Sequence, residues 1–341
     1  MDHVLLYLGC ERSGTTFVSE TLNRFYDVAH GNEPGWVVSK WRELQRDPAL
    51  LSTRVAQTRW IRELFTDWWF ANMANYYQVY FNVDDFVQDG PFDYRKFVSQ
   101  IFEHIGLRQR KRWVINKACA YCDDMEAIDR VYGDPRVVHI VRDGRDVAIS
   151  LMRVAAWGPT SAFGAAELWK RRVDRFQGYA SQCMRGRVLE LSYEKDLLAN
   201  PIETFERIAK WYGIFEEHRH AELQRYVEVK ENYESRWKTH ISPSQVAIIE
   251  RVAWDTLERN GYALTDPAHK EQPLTPWERL GRRALEAVSS RVSPSALLYR
   301  GMRVTNKLIG RFPALQDRFF HSDVFVRYFR YTDSRSGGRT K

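Results

Sequence analysis

Residues 4–17 read VLLYLGCERSGTTF. The apolar run Val4–Leu8 predicts a buried β-strand, and the residues after the glycine-bounded loop predict a helix that runs through Leu22. A strand, a glycine-bounded loop and a helix N-terminus form an anion-binding site, because unpaired backbone N–H groups and the helix dipole both face the loop. The segment therefore predicts a phosphate-binding loop at the start of an α/β fold.

The loop differs from the ATPase phosphate loop in the position of its cation. Gly9 and Gly14 have the spacing of that loop, but Thr15 stands where the ATPases carry lysine, and the cation is Arg12 instead. Because the ATPase lysine neutralises the β- and γ-phosphates, its absence argues against a nucleoside triphosphatase. A phosphate-like ligand is still expected, and a P-loop kinase that uses ATP and magnesium is the rival interpretation among enzymes.

Four further runs of apolar or β-branched residues predict strands. They are Val28–His30, Trp113–Asn116, Val137–Val141 and Val188–Leu191. Most of the segments between them are long enough to hold a crossover helix, which is typical of a parallel sheet with helices on both faces. We therefore predict an α/β fold with a doubly wound central parallel sheet of about five strands.

Residues 36–112 interrupt this alternation with a long segment that is rich in Trp, Tyr and Phe. We predict a helical insertion on the acceptor side, whose aromatic residues mainly fill a helical core; a substrate-stacking surface is the less favoured alternative. Two later helix starts are marked by a capping residue followed by proline, at Asn200-Pro201 and Ser242-Pro243.

Charge is distributed unevenly along the chain, which has a formal net charge of +7. Residues 271–341 contain 14 Lys+Arg and 6 Asp+Glu, which leaves 37 and 38 in residues 1–270. We predict a near-neutral catalytic domain over residues 1–270 and a basic, mostly helical C-terminal extension over residues 271–341. Packing of the extension on the body is the favoured interpretation, and peripheral contact with anionic lipid is the alternative. No nucleic-acid partner is expected.

The composition excludes several classes of protein. With 44% hydrophobic and 14% aromatic residues the chain can bury a large core, which argues against a disordered or collagen-like protein. No apolar run approaches the roughly 20 residues that span a bilayer, and the start lacks the pattern of a signal peptide, so we expect a cytoplasmic protein. The spacing of Cys119 and Cys122 is a weak signal for zinc or redox chemistry, and no metal is expected.

The segment Arg12-Ser13-Gly14-Thr15-Thr16 resembles the 5′-phosphosulfate loop of sulfotransferases that use 3′-phosphoadenosine 5′-phosphosulfate (PAPS). The resemblance implies that these five residues bind the 5′ end of that donor. Members of the family carry either lysine or arginine at the position of Arg12, so the arginine is no departure from the pattern.

Residues 138–150 also run from a predicted strand into a helix, and they resemble the 3′-phosphate motif of the same family. The resemblance implies that Arg142 and Ser150 hold the 3′-phosphate. The chemistry suits them, since a guanidinium binds phosphate bidentately and a hydroxyl adds a directional hydrogen bond. The alternative is an exposed ladder of ion pairs. Its members would be Arg142, Asp143, Arg145 and Asp146.

Two later segments extend the resemblance to about residue 262. Residues 191–197 resemble the segment in which a tyrosine meets the adenine, which implies this role for Tyr193. Residues 235–242 resemble the loop that closes over the nucleotide, which implies Arg236 and Lys238 as further 3′-phosphate contacts. Two phosphate sites at the C-terminal ends of neighbouring parallel strands suit a nucleotide with phosphates on both ends of its ribose.

Sulfuryl transfer also needs a base for the acceptor hydroxyl. In the cytosolic branch of the family this base is a histidine after the strand that follows the insertion, but here that segment reads Asn116-Lys117-Ala118-Cys119. Branches that act on carbohydrates or protein tyrosine use a glutamate shortly after the second strand, which implies Glu33, with His30 as the reserve base. A solvated turn residue is the alternative for Glu33. Lys117 either bridges to the sulfonate, as a lysine does in relatives, or is a surface lysine.

These features together predict an enzyme that moves a sulfuryl group from PAPS to the hydroxyl of an acceptor. The acceptor would be a small molecule or a glycan, such as a carbohydrate, glycolipid or natural product, and the reaction would need no metal. Its catalytic residues would be Glu33, Arg12 and Lys117. The alternative from another class of protein is a catalytically inactive nucleotide-binding adaptor that the basic extension recruits. The oligomeric state is left open.

Overall fold

The computed structural model describes Met1 and residues 3–154, 158–227 and 235–292 of the chain. Five parallel strands form one sheet in the order β2-β3-β1-β4-β5. The strands are β1 (Val4–Gly9), β2 (Val28–His30), β3 (Trp113–Asn116), β4 (Val137–Val141) and β5 (Val188–Ser192). The predicted doubly wound parallel sheet of about five strands is therefore confirmed.

Helices connect and cover these strands. Over the described residues they are α1 (Thr15–Phe25), α2 (Trp36–Arg46), α3 (Arg54–Leu64), α4 (Trp68–Tyr77), α5 (Tyr94–Gln109), α6 (Met125–Tyr132), α7 (Gly144–Met152), α8 (Ala162–Cys183), α9 (Pro201–Tyr212), α10 (Arg219–Tyr226), α11 (Trp237–His240), α12 (Pro243–Arg259), α13 (Ala268–Glu271) and α14 (Pro276–Val292). None of these helices combines the length and the apolar character needed to cross a membrane.

The alternation of side chains along β1 creates two cores, one on each face of the sheet. Leu6 and Leu8 belong to a cluster with α2 to α6, whereas Leu5 and Tyr7 belong to a cluster with α1 and α9. Because both faces are covered, every residue of β1 is buried. This explains why the strand is a continuous apolar run in the sequence rather than an alternating one.

The segment between β2 and β3 contains helices α2 to α5, and its aromatic residues pack mainly on one another. The Trp36 ring lies 5.7 Å from the Trp69 ring and 6.1 Å from the Phe97 ring, and all three side chains are buried. This confirms the interpretation that most of these aromatic residues fill a helical core. Trp68, Tyr76 and Tyr80 are exceptions with exposed side chains.

The two helix starts marked by proline are built differently. Ser242 forms a capping box with Gln245 at the start of α12, as its sequence predicts. Asn200 precedes Pro201 at the start of α9, but its side chain makes no capping bond and donates to the backbone oxygen of Lys195 instead. Asn200 is therefore the N-cap residue of α9 with Pro201 at the first helical position, as predicted, but without a side-chain capping bond.

A buried ionic network ties α7 to α12. The fully buried Glu250 accepts hydrogen bonds from Arg145 Nη1 at 2.7 Å and from Thr265 Oγ1 at 2.8 Å, and His269 Nδ1 lies 2.7 Å from it. Burial alone would raise the pKa of Glu250, but the hydrogen bonds from His269, Thr265 and Arg145 outweigh it and hold that pKa below its usual value of 4.5. The native state is therefore stabilised by the ionised carboxylate.

Glu250→Gln is expected to lower the free energy of unfolding by about 3 kcal/mol at pH 7, because it removes a carboxylate that pairs with the buried Arg145 guanidinium. Since the pKa of Glu250 is depressed in the folded state, the difference between wild type and variant should persist above pH 4.5 and shrink as the pH falls below it. Denaturant titrations of wild type and variant at pH 7 and below pH 4.5 measure this difference in the free energy of unfolding.

Glu258→Gln is the matched control, because Glu258 lies on the same helix but forms an exposed ion pair with Lys270. Such pairs contribute at most about 1 kcal/mol. Equal stability losses in the two variants would contradict the assignment of the network to Glu250.

Candidate active site

Four loops at the C-terminal edge of the sheet bring the candidate residues together. The phosphate loop follows β1, Glu33 follows β2, Lys117 follows β3 and Arg142 follows β4. Because the strands are parallel and β1 lies between β3 and β4, these four strand ends meet at one edge. Residues that are up to 130 positions apart in the sequence therefore share one cleft.

The phosphate loop depends on two glycines that no larger residue could replace without movement. A Cβ atom on Gly9 would lie 2.6 Å from the backbone oxygen of Ile140, so the close approach of β1 to β4 needs a glycine. Gly14 has a φ of 83° and precedes α1, and a Cβ there would lie 2.8 Å from the Tyr193 ring. No side chain caps α1, so its first N–H groups face the loop as an anion site would require.

Three candidate residues form one chain of contacts across the strand ends. Lys117 Nζ lies 2.5 Å from Glu33 Oε1 and donates to Thr16 Oγ1 at 3.0 Å. Lys117 is only 8% exposed, so it is not the surface lysine of the alternative interpretation. Burial alone would lower the pKa of Lys117, but the Glu33 carboxylate beside it raises that pKa, so the side chain stays a cation. Glu33 keeps 39% of its side chain exposed and can meet a ligand from solvent.

His30, the reserve base, lies on the same side of the cleft. Its ring packs on that of Tyr77 with 5.0 Å between centroids, and its backbone is bonded to the side chain of Gln109. Burial, together with the positive charges of Lys117 and Lys111, lowers the pKa of His30 to about 4. The imidazole is therefore neutral near pH 7.

The two predicted phosphate sites are in direct contact. Arg12 Nε donates to Ser150 Oγ at 2.7 Å, and Arg142 Nη1 donates to the backbone oxygen of Arg12 at 3.0 Å. The Arg142 guanidinium also lies 4.3 Å from the centre of the Tyr193 ring, which places Tyr193 beside both sites. Arg12, Arg142, Ser150 and Tyr193 thus surround one small region of the cleft.

The alternative of an exposed ladder of ion pairs at Arg142 to Asp146 is wrong. All four of its charged members are buried, with exposures of 7% or less. Arg145 and Asp143 pair with each other in the network around Glu250, whereas Asp146 accepts a hydrogen bond from the backbone N–H of Trp237 at 2.9 Å. Arg142 is the member that reaches the phosphate loop.

Residues 235–242, the late loop that the resemblance assigns to nucleotide closure, lie against α7 through Trp237. The indole is buried beside Ile149, and the Arg145 guanidinium lies 4.1 Å from its centre. Arg236 is half-buried with its Nη2 3.5 Å from His240 Nε2, and Lys238 is exposed. The loop therefore packs on Ile149, the residue before Ser150, and no contact from Lys238 to the phosphate sites is seen among the described residues.

Cys119 and Cys122 are the cysteine pair with the spacing of a zinc or redox site. Cys119 and Cys122 are buried, and burial raises the pKa of Cys122 to about 12, so its thiol is protonated. Across the part of the chain that the structure describes, no three His, Cys, Asp or Glu side chains are grouped as metal ligands.

A family model described as the sulfotransferase family matches residues 5–217. The chain belongs to the sulfotransferase family. The matched range of this sulfotransferase contains the phosphate loop, Glu33, Lys117, Arg142 and Tyr193, and it ends before the late loop with Arg236 and Lys238.

Three solved sulfotransferase structures are similar at low sequence identity. The sulfotransferase domain from the curacin biosynthetic pathway is 15% identical with a TM-score of 0.49, over 77% of this chain and 99% of that one. STF9 from Mycobacterium avium is 16% identical with a TM-score of 0.46, over 77% and 78%. Mouse SULT7A1, solved in complex with PAP, is 12% identical with a TM-score of 0.40, over 80% and 88%. No curated protein matches the chain.

Sequence reasoning missed the residues that hold the Glu33 loop of this sulfotransferase in place. Trp69 Nε1 donates to the backbone oxygen of Gly31 at 3.1 Å, and the Tyr121 hydroxyl donates to that of Pro34 at 3.0 Å. The two bonds fix the backbone on either side of Glu33. Neither residue carries a motif, and both come from segments distant from the loop, so no signal in a single sequence identifies them.

A second missed feature connects the phosphate loop of the sulfotransferase to α8. Arg172 is buried on that helix and donates to Glu11 Oε1 at 3.0 Å and to Asp123 Oδ2 at 2.5 Å. Glu11 belongs to the phosphate loop and Asp123 to the segment after β3, so one guanidinium connects two strand ends. The spacing of 161 residues between Glu11 and Arg172 hides this ion pair from sequence analysis.

Proposed function

We propose that this sulfotransferase moves a sulfuryl group from PAPS to the hydroxyl of a small-molecule or glycan acceptor, with Glu33 as the general base. The observation that carries the proposal is the contact chain from Glu33 through Lys117 to Thr16. It links a partly exposed carboxylate, which an acceptor can reach, to the loop that resembles the 5′-phosphosulfate site. A base and a sulfuryl donor need this proximity for an in-line reaction.

The residues around the cleft fit the donor in charge and hydrogen bonding. Ser13 Oγ and Trp237 Nε1 are buried and have no hydrogen-bond partner among the described residues, which a polyanionic ligand nearby would explain. The 5′-phosphosulfate would be held by Arg12, Ser13 and the backbone N–H groups of Gly14, Thr15 and Thr16. The remaining donor contacts would come from Arg142, Ser150, Arg236 and Lys238 at the 3′-phosphate and from Tyr193 at the adenine.

Sulfuryl transfer resembles phosphoryl transfer in being a loose displacement, so positioning and charge stabilisation supply most of the catalysis. PAPS supplies the sulfuryl group and a leaving phosphate. In the proposed mechanism the Glu33 carboxylate takes the proton of the acceptor hydroxyl. Arg12 and the loop N–H groups stabilise charge on the leaving phosphate, and Lys117 orients Glu33 and meets the transferring sulfonate.

The acceptor class follows from the base and from the insertion. A glutamate after the second strand resembles the carbohydrate and tyrosyl branches, so we propose a hydroxyl on a carbohydrate, glycolipid or natural product. Tyr77 of the insertion packs on His30 beside the base, which supports an acceptor site between residues 36–112 and the sheet. The proposed catalytic domain spans residues 1–270.

Adenosine 3′,5′-bisphosphate (PAP), the desulfated donor, is expected to raise the melting temperature, whereas ATP with magnesium is not. A ligand at 100 times its dissociation constant stabilises the native state by about 2.7 kcal/mol, which is several degrees. Differential scanning fluorimetry with matched concentrations of both nucleotides measures the effect. Stabilisation by ATP and magnesium instead of PAP would support a kinase and overturn the proposal.

The acceptor is sought by incubating the protein with labelled PAPS and an extract of host metabolites, followed by mass identification of labelled product. Stabilisation by PAP without labelled product from any acceptor would favour the catalytically inactive adaptor.

A further inference from the structure

Helix α14 is attached to the body through its polar side. Arg283 donates to Glu167 of α8 at 2.8 and 2.9 Å. Glu286 accepts from the backbone N–H of Thr160 at 2.6 Å and from Ser161 Oγ at 2.5 Å. The predicted packing of this part of the extension on the body is thus present for residues 276–292, but it uses ion pairs and hydrogen bonds rather than an apolar face.

The apolar side of α14 faces solvent. Its large apolar side chains have high exposures: Trp277 81%, Leu280 57%, Leu285 72% and Val288 59%. At 3.6 residues per turn these positions fall on one face of the helix, opposite the residues that pair with α8. A surface helix normally buries its apolar face against the core, so this arrangement is reversed and leaves a continuous apolar strip without cover among the described residues.

The charge of the chain indicates what covers this strip. Residues 293–341, which follow α14 directly, contain ten Lys+Arg and three Asp+Glu, whereas 41 of each remain in residues 1–292. The whole net charge of +7 therefore belongs to the 49 residues after α14. An apolar helix face with an exposed tryptophan, next to a strongly basic segment, has the chemistry of binding to an anionic lipid interface.

We propose that the exposed apolar face of α14 binds an anionic lipid surface, and the basic sequence that follows this helix is the reason for choosing that occupant. The alternatives fit less well. A second copy of this chain, or the segment 293–341 folding back, would bring positive charge to a helix that already carries four arginines and two glutamates. A nucleic acid would neutralise the basic segment but leave the strip of Trp277 and its neighbours in water.

The position of α14 would turn the active-site end of the molecule toward the lipid. Helix α8 runs antiparallel to the strands, since it ends before β5 begins, and its N-terminus lies at the same end as the cleft. Arg172 contacts the phosphate loop, and Ser161, which contacts α14, lies eleven residues closer to the N-terminus. At about 1.5 Å per residue this places the contact roughly 16 Å beyond the loop.

The test uses the full chain and vesicles of phosphatidylcholine with or without 30% phosphatidylserine, by co-sedimentation. The wild-type protein is expected to bind the vesicles that contain phosphatidylserine. This binding should weaken at high salt, and binding to vesicles without phosphatidylserine should be at least tenfold weaker. The double variant Trp277→Ser/Leu285→Ser is expected to bind at least tenfold more weakly than wild type. It leaves the pairs between α14 and α8 intact, so its melting temperature and its response to PAP should match wild type.

The matched control is Val55→Ser/Leu107→Ser, which removes two apolar side chains that are equally exposed, at 72% and 78%, on α3 and α5. This variant should bind vesicles like wild type. Equal binding of wild type to both kinds of vesicle, or wild-type binding by the α14 variant, would overturn the proposal. So would a wild-type dimer in sedimentation velocity that the α14 variant loses, since the strip would then be a contact between copies. None of these readouts depends on sulfuryl transfer.

Discussion

Glu33→Gln is expected to lower the rate of sulfuryl transfer by a factor of about 10²–10⁴, the usual contribution of a positioned general base. The amide has the shape of the carboxylate and can still accept a hydrogen bond from Lys117, but it cannot take the proton of the acceptor hydroxyl. Affinity for PAP should remain unchanged, because the contacts proposed for the nucleotide lie on the other side of Lys117. Single-turnover transfer from labelled PAPS and calorimetric titration with PAP measure the two quantities.

Glu63→Gln is the matched control, since Glu63 is an exposed carboxylate on α3 of the same insertion. It should leave both quantities unchanged. Undiminished transfer by Glu33→Gln would remove Glu33 from the mechanism, and His30→Asn would then become the variant to test. A loss of PAP affinity in Glu33→Gln that equals its loss of rate would show that Glu33 acts through Lys117 on donor binding rather than as a base.

Arg142→Ala is expected to weaken PAP binding by a factor of roughly 30 to 1000. A buried guanidinium that binds phosphate through charge-assisted hydrogen bonds contributes about 2–4 kcal/mol, which corresponds to this range. The loss should be specific for the 3′-phosphate, so binding of adenosine 5′-monophosphate should change much less. Calorimetric titration of wild type and variant with both nucleotides measures the difference.

Two further variants sharpen this experiment. Arg142→Lys should lie between wild type and Arg142→Ala, because lysine keeps the charge but loses the bidentate geometry. Arg136→Ala should bind PAP normally, since Arg136 is an exposed arginine at the opposite end of the same strand, β4. If PAP and adenosine 5′-monophosphate lose affinity equally, Arg142 acts through its bond to the backbone of Arg12 rather than on the 3′-phosphate.

Much of the sheet was predictable because its strands are buried on both faces. Such strands are continuous apolar runs, and the predicted bounds of the second, third and fourth strands agree with β2, β3 and β4. β1 and β5 extend one residue beyond their predicted ends, to Gly9 and Ser192, because backbone pairing continues past the last apolar side chain. The order of the strands could not be predicted in this way, since it depends on which crossovers pack together.

The tail shows the limit of pattern analysis most clearly. The sequence predicts a basic, mostly helical extension, but it does not say which face of a helix there meets the protein. Here the ion pairs with Glu167 and the hydrogen bonds to Glu286 select the polar face. Residues 293–341, which complete the predicted extension, lie outside the described residues.

The sequence alone predicts the phosphate loop, the parallel sheet and the identity of the charged residues at the strand ends, because these depend on local pattern and on glycine conformation. Tertiary structure alone decides which of those charges meet. Lys117 reaches Glu33 and Thr16, Arg12 reaches Ser150, and Arg145 turns away into the network around Glu250. The physical reason is that short-range hydrogen bonds and ion pairs depend on distances in space, which the packing of strands and helices sets and sequence separation does not reveal.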